Sequence, residues 1–133
     1  MDPIRLEELA RRHGVRLLLR FGSSVGGPMH AGSDVDFAAL LERAPDSLAV
    51  QADLAADLQS LVPDREVDVA ILNRADPLFL KQIVDRCELE FGSPARLDAL
   101  KLYAFKRYQD HRRFLRLEGE YVDRAIERLA GRP

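Results

Sequence analysis

Two aspartates, Asp34 and Asp36, sit two residues apart at the mouth of the apolar run "DVDFAALL". On a strand, residues i and i+2 share a face, so both carboxylates point the same way, one pleat apart. Desolvating such a pair is costly unless a cation sits between them. Hard carboxylate oxygens suit Mg²⁺ or Mn²⁺, and Mg²⁺ usually takes one or two carboxylates plus substrate phosphates. A third carboxylate, Asp68 in the later run "EVDVAIL", completes a candidate two-metal site. There one metal would activate the attacking oxygen and the other would steady the leaving phosphate of an in-line displacement. Glu66 shares the face of Asp68 and is the fallback third ligand.

Upstream, Gly22-Ser23 closes the run "VRLLLRF", and ten loop-like residues, Ser24 to Ser33, separate it from the aspartates. Glycine lets backbone approach a ligand closely. The residues after it could open a short helix whose free N–H groups attract phosphate, with the Ser23 hydroxyl as an added donor. Ser33, which can steady the turn into the aspartate strand, joins Gly22 and Ser23 as a candidate nucleotide-binding residue. A triphosphate on the Gly-Ser turn with metals on the aspartates makes a nucleotidyl-transfer site. No G-x-x-x-x-G-K-[ST] run occurs, which excludes a P-loop NTPase.

The elements that must position these residues announce themselves locally. Three helices begin with a capping residue followed by proline: Asp2-Pro3, Asp76-Pro77 and Ser93-Pro94. The first carries Ile4, Leu6, Leu9 and Ala10 and stops at Gly14. Strands are predicted at Val15 to Phe21, from Asp34 through "DVDFAALL", through "EVDVAIL", and at "CELEF". Between the second and third, Leu48, Ala52, Ala55, Leu58 and Val62 recur at helical spacing. Another helix runs from Pro77 to about Asp85. A long C-terminal helical segment covers about 94–130, with Gly119 a candidate interruption. The fold class is therefore α/β (α+β), a mixed sheet with helices packed on it, in one domain spanning 1–133.

Composition narrows the function classes. Net charge is −2, with 47% hydrophobic and 32% charged residues. No global positive field draws the chain to nucleic acid, so direct nucleic-acid binding is not expected. One cysteine, Cys87, allows neither an internal disulfide nor a cysteine metal cage. The N-terminus lacks a secretory h-region and no apolar run reaches membrane-spanning length, so a cytoplasmic protein without a membrane partner is expected. His13 and His111 read as structural or solvated, whereas His30 lies in the loop before the aspartates.

Gly22-Ser23, ten residues, then Asp34-x-Asp36 and a later strand aspartate resembles the polymerase-beta-type nucleotidyltransferase superfamily. With its short length and strand-plus-helix tail, the chain is most similar to minimal nucleotidyltransferases (MNT), antitoxin partners of HEPN-domain RNase toxins. The resemblance implies a small nucleotidyltransferase-type mixed sheet. It implies that Asp34 and Asp36 bind two Mg²⁺ ions, and that Asp68 binds the catalytic one and helps activate the acceptor hydroxyl. Gly22 and Ser23 would hold the phosphates of ATP. The implied reaction transfers AMP from ATP to a tyrosine of the HEPN toxin and silences it.

One departure stands out: many relatives read G-S-x-x-R-G, and here the arginine position is Gly26. His30 or Arg20 are the candidate substitutes. Two alternatives follow, a binding-only antitoxin that masks the toxin, and a nucleotidyltransferase acting on a small molecule or tRNA. The tail bears on the first. Leu97, Leu100, Ala104, Tyr108, His111 and Leu115 form one stripe, while Phe105, Phe114, Leu117 and Tyr121 lie mostly off it. The simpler reading packs this helix on two sides within its own domain. The other leaves an apolar face for a homo- or hetero-oligomer, flanked by basic Lys106, Arg107, Arg112, Arg113 and Arg116.

Overall fold

The structure is a computed structural model that describes residues 1–25 and 34–131. Its elements run α1 (Pro3–His13), β1 (Val15–Phe21), a 3₁₀ turn (Gly22–Ser24), β2 (Val35–Leu41), α2 (Leu48–Leu61), β3 (Val67–Ile71), α3 (Pro77–Asp85), β4 (Cys87–Phe91) and α4 (Pro94–Ala130). The cap-plus-proline signals act as expected. The Asp2 side chain accepts from Ile4 N, Asp76 from Leu78 N and Phe79 N, and Ser93 from Arg96 N. Each satisfies N–H groups that a helix start leaves without partners. Gly14 ends α1 with φ +64° and donates to the Ala10 and Arg11 carbonyls.

The four strands lie in the order β3-β2-β1-β4. β1 pairs antiparallel with β2 and with β4, while β2 and β3 are parallel, joined by α2 as the crossover. Helices α1 and α2 cover one face, meeting Leu18, Val35, Phe37, Ala39, Val67 and Val69 through Leu6, Leu9, Leu54 and Leu58. Helices α3 and α4 cover the other, packing Leu80, Ile83, Val84, Leu97, Leu100 and Ala104 on Leu17, Leu19, Ala38 and Leu72. A register shift between Val15 and Leu17 lets these two residues serve opposite cores.

Polar side chains pin the parallel pair. Gln59 accepts from Val67 N at 3.0 Å and donates to the Val62 and Arg65 carbonyls. Gln51 donates to the Val69 carbonyl at 2.6 Å, and Val35 N donates to the Glu66 carbonyl at 2.9 Å. At the far end Asn73 bonds both the N–H and the carbonyl of Leu41. The register of β2 against β3 is thereby fixed at both ends, and with it the row that carries the aspartates.

Several expectations need correction. Ile4 is 71% exposed and Leu48 82% exposed, so neither joins the core. Ala52 is exposed as well, and α2 buries Leu54 and Leu58 instead. The second strand begins at Val35, leaving Asp34 just outside it. Gly119 does not interrupt α4, which runs 37 residues, about 55 Å at 1.5 Å per residue.

Nor is α4 packed on two sides along its length. Leu97, Leu100 and Ala104 are buried and Tyr108 and His111 partly so, but Leu115 and everything on the neighbouring stripe are open. The reason is length: α3, its packing partner, has only 9 residues. Phe105, Phe114, Leu117, Tyr121, Val122, Ile126 and Leu129 are all at least 45% exposed.

Candidate active site

The parallel pairing puts Asp36 and Asp68 directly opposite each other. Neighbouring strands are about 4.8 Å apart. Both side chains alternate with core residues of the α1/α2 face, so they point to the α3/α4 side, at the end of the sheet those helices leave open. Asp34, one pleat earlier, shares their side and is exposed. Asp68 stands level with Asp36, whereas Glu66 precedes β3; the fallback is not needed to complete the row.

The third wall is the turn after β1. Phe21 pairs with Asp36, which sets Gly22 beside the carboxylate. Gly22 has φ +79°, and a Cβ built there would lie 2.4 Å from Asp36 Oδ2. Only glycine accepts both conditions without displacement. Val25 N donates to the Gly22 carbonyl at 3.2 Å and closes the turn, with Ser23 exposed beside it. Phe21 is held from above by Phe79 of α3, edge to face at 6.1 Å. Ser33, His30 and Gly26 lie outside the described residues.

Electrostatics mark the row. The Asp36 carboxyl is pushed above the ordinary carboxylate value, first by burial, then by the charges of Asp68 and Asp34. Among the described residues, none of the three carboxylates has an ion-pair partner. Nor, among those residues, do three His, Cys, Asp or Glu side chains already stand close enough to share one ion. The donor set nonetheless fits Mg²⁺, which is held by one or two carboxylates with phosphate oxygens and water completing its shell. Unpaired carboxylates that repel one another are what such an ion relieves.

Arg20 cannot substitute for a phosphate-site arginine. It faces the α1/α2 side, where it is paired with Glu88 and, at 3.1 Å, with Glu90. Arg86 was missed in the sequence: its Nη2 donates to the Val25 carbonyl at 3.0 Å, at the end of the Gly22 turn. The available signal was a cation directly before "CELEF", but its meaning depends on β4 lying beside β1. His13 proves structural, its Nε2 2.6 Å from Asp57 Oδ2. Cys87 is half-buried and free, and burial raises its thiol pKa.

The sequence matches the polymerase beta nucleotidyltransferase family over residues 5–95, and the chain belongs to that family. A search of the curated proteins found no significant match. Among solved structures, the chain is similar in fold to one in a toxin–antitoxin complex with AMP-PNP. That match has TM-score 0.71 and 23% identity over 95% of this chain and 98% of that one.

It is likewise similar to a chain in the complex of tri-AMPylated Shewanella oneidensis HEPN toxin with MNT antitoxin. There the TM-score is 0.65 with 21% identity, covering 93% and 94% of the two chains. A spectinomycin adenyltransferase from Enterococcus faecialis, with ATP and spectinomycin, matches at TM-score 0.52 and 14% identity. It covers 73% of this chain and 57% of that one. Among the described residues no helix is long and apolar enough to cross a membrane.

Proposed function

We propose that this protein is a Mg²⁺-dependent adenylyltransferase antitoxin that transfers AMP from ATP to a tyrosine of a HEPN-type toxin. The observation that carries this reading is Asp36 level with Asp68, pressed against the positive-φ Gly22 and flanked by Asp34. Bound Mg²⁺ would draw charge from the phosphates and lower the pKa of the attacking hydroxyl. Asp34 and Asp36 would hold that ion, and Gly22-Ser23 offers backbone N–H groups and a hydroxyl to the phosphate oxygens. Asp68 takes the tyrosine proton as the tyrosyl oxygen bonds to the α-phosphorus. The bond from that phosphorus to the bridging oxygen breaks, and pyrophosphate leaves with both electrons.

The similar folds solved in toxin–antitoxin complexes support a toxin as the acceptor. The partner docks on the distal half of α4, where Val122, Ile126 and Leu129 continue the buried stripe of Leu97, Leu100 and Ala104 at helical spacing. A purely masking antitoxin would use this face alone. The experiment is co-purification with the cognate toxin followed by incubation with α-labelled ATP. Label on the toxin, lost in the Asp34→Ala plus Asp36→Ala variant, is expected. Label that survives the double substitution would remove the assigned site, and toxin neutralised equally by the unlabelling variant would favour masking.

A further inference from the structure

A site of three carboxylates repels a polyphosphate, and divalent metal there would offset only part of the combined negative charge. The rest of the charge calls for a protein cation. None lies in the intervening stretch, because Gly22 to Asp36 contains no lysine or arginine. Arg20 is held on the opposite face by Glu88 and Glu90.

Arg86 meets the need from a different element. It caps α3 at its C-terminus, and the next residue, Cys87, pairs with Phe21. Arg86 therefore stands beyond the last paired row, beside the Gly22 turn. Its Nη2 donates to the Val25 carbonyl at 3.0 Å, and Val25 N donates to the Gly22 carbonyl, so the guanidinium is fastened to the turn itself. Among the described residues it pairs with no carboxylate. A guanidinium has five N–H donors, and the Val25 carbonyl accepts from one of its nitrogens. The turn thus separates two kinds of charge. Aspartates from β2 and β3 lie on one side, and Arg86 lies on the β4 side, two strand spacings or roughly 10 Å away.

The geometry points to Arg86 as the residue that binds the distal phosphates of a nucleoside triphosphate and makes the site select triphosphate over monophosphate. This assignment rests on the nucleotidyltransferase reading above. A lysine would supply charge without the fork that bonds a carbonyl and a phosphate together.

The test is the affinity of the purified protein for ATP and for AMP, each with Mg²⁺, in wild type, Arg86→Gln and Arg86→Lys. Glutamine removes the charge and keeps a polar, hydrogen-bonding side chain. Arg86→Gln is expected to weaken ATP about tenfold, as loss of a charge-assisted hydrogen bond does, and to leave AMP unchanged. Arg86→Lys should recover part of the loss, and added salt should erode the wild-type preference for ATP more than that of Arg86→Gln. If Arg86→Gln binds both nucleotides like wild type, or weakens both equally, Arg86 only tethers the turn and the inference is overturned. If wild type itself binds neither nucleotide, the nucleotidyltransferase reading fails and takes this inference with it.

Discussion

Asp57 and Asp36 are both partly exposed aspartates beside other charged groups, yet the fold treats them in opposite ways. Asp57 on α2 accepts from His13 Nε2 at 2.6 Å and from Arg12 Nη1 at 3.3 Å. Its carboxyl is held below the ordinary value, chiefly by the His13 hydrogen bond. Asp36 has two carboxylates for neighbours and sits above the ordinary value, chiefly through burial. The first aspartate is compensated within the chain and joins α1 to α2. The second is left in deficit, at the one place where Gly22 opens the backbone. An uncompensated cluster that the register of β2 and β3 enforces is what the proposed function fills with a cation.

The largest effect should come from removing the deficit altogether. Asp34→Ala with Asp36→Ala should cut transfer of labelled AMP by about a hundredfold or more, the scale for losing a main electrostatic stabiliser. Asp57→Ala should leave the transfer rate unchanged. Gly22→Ala comes next. Left-handed backbone costs a non-glycine residue about 1–2 kcal/mol, and the added methyl must displace Asp36 Oδ2 from 2.4 Å. Both a lower Tm and at least tenfold weaker ATP binding are expected. ATP binding at wild-type strength would show that the turn does not touch the nucleotide.

A smaller contrast runs along α4. Leu100, 8% exposed, should cost about 2–4 kcal/mol as Leu100→Ala. Ile126→Ala, at a position 58% exposed, should leave Tm alone and weaken only toxin binding, measured by titration of the two purified proteins.

The smallest and most diagnostic effect is one of sign. In metal-free protein Asp36→Asn should raise Tm and Asp57→Asn should lower it. A raised folded pKa means the Asp36 carboxylate opposes folding above its folded pKa, and that cost fades as pH falls through this pKa towards the unfolded value near 4. The depressed pKa of Asp57 works the other way. Its contribution is full above the unfolded value and is lost as pH falls through the lower, folded one. Melts from pH 7 to pH 3 should therefore show the Asp36→Asn gain vanishing first and the Asp57→Asn loss persisting to lower pH.

Much of this was legible because the signals are local. Asp2, Asp76 and Ser93 cap their helices through bonds to residues two or three positions on, so sequence spacing shows them. The Asp34-x-Asp36 spacing and the Asp68 strand likewise mark the row before any pairing is known. Apolar periodicity was less faithful. Ile4 and Leu48 fit a stripe but lie exposed in the first turns of α1 and α2, and α4 carries its stripe past the end of α3. The role proposed for Arg86 could not be read from sequence, because it depends on β4 pairing with β1 across more than sixty intervening residues.

The central claim, that the aspartate row is built to take a divalent cation with a nucleotide, is tested most directly by titrating Mn²⁺ into the protein with and without a non-hydrolysable ATP analogue. Followed by the electron-spin signal of free Mn²⁺, wild type and Asp57→Asn should bind the ion, more tightly with nucleotide present. Asp36→Asn should lose most of that binding. Equal Mn²⁺ binding by Asp36→Asn and wild type, or no binding by wild type with nucleotide present, would contradict the account.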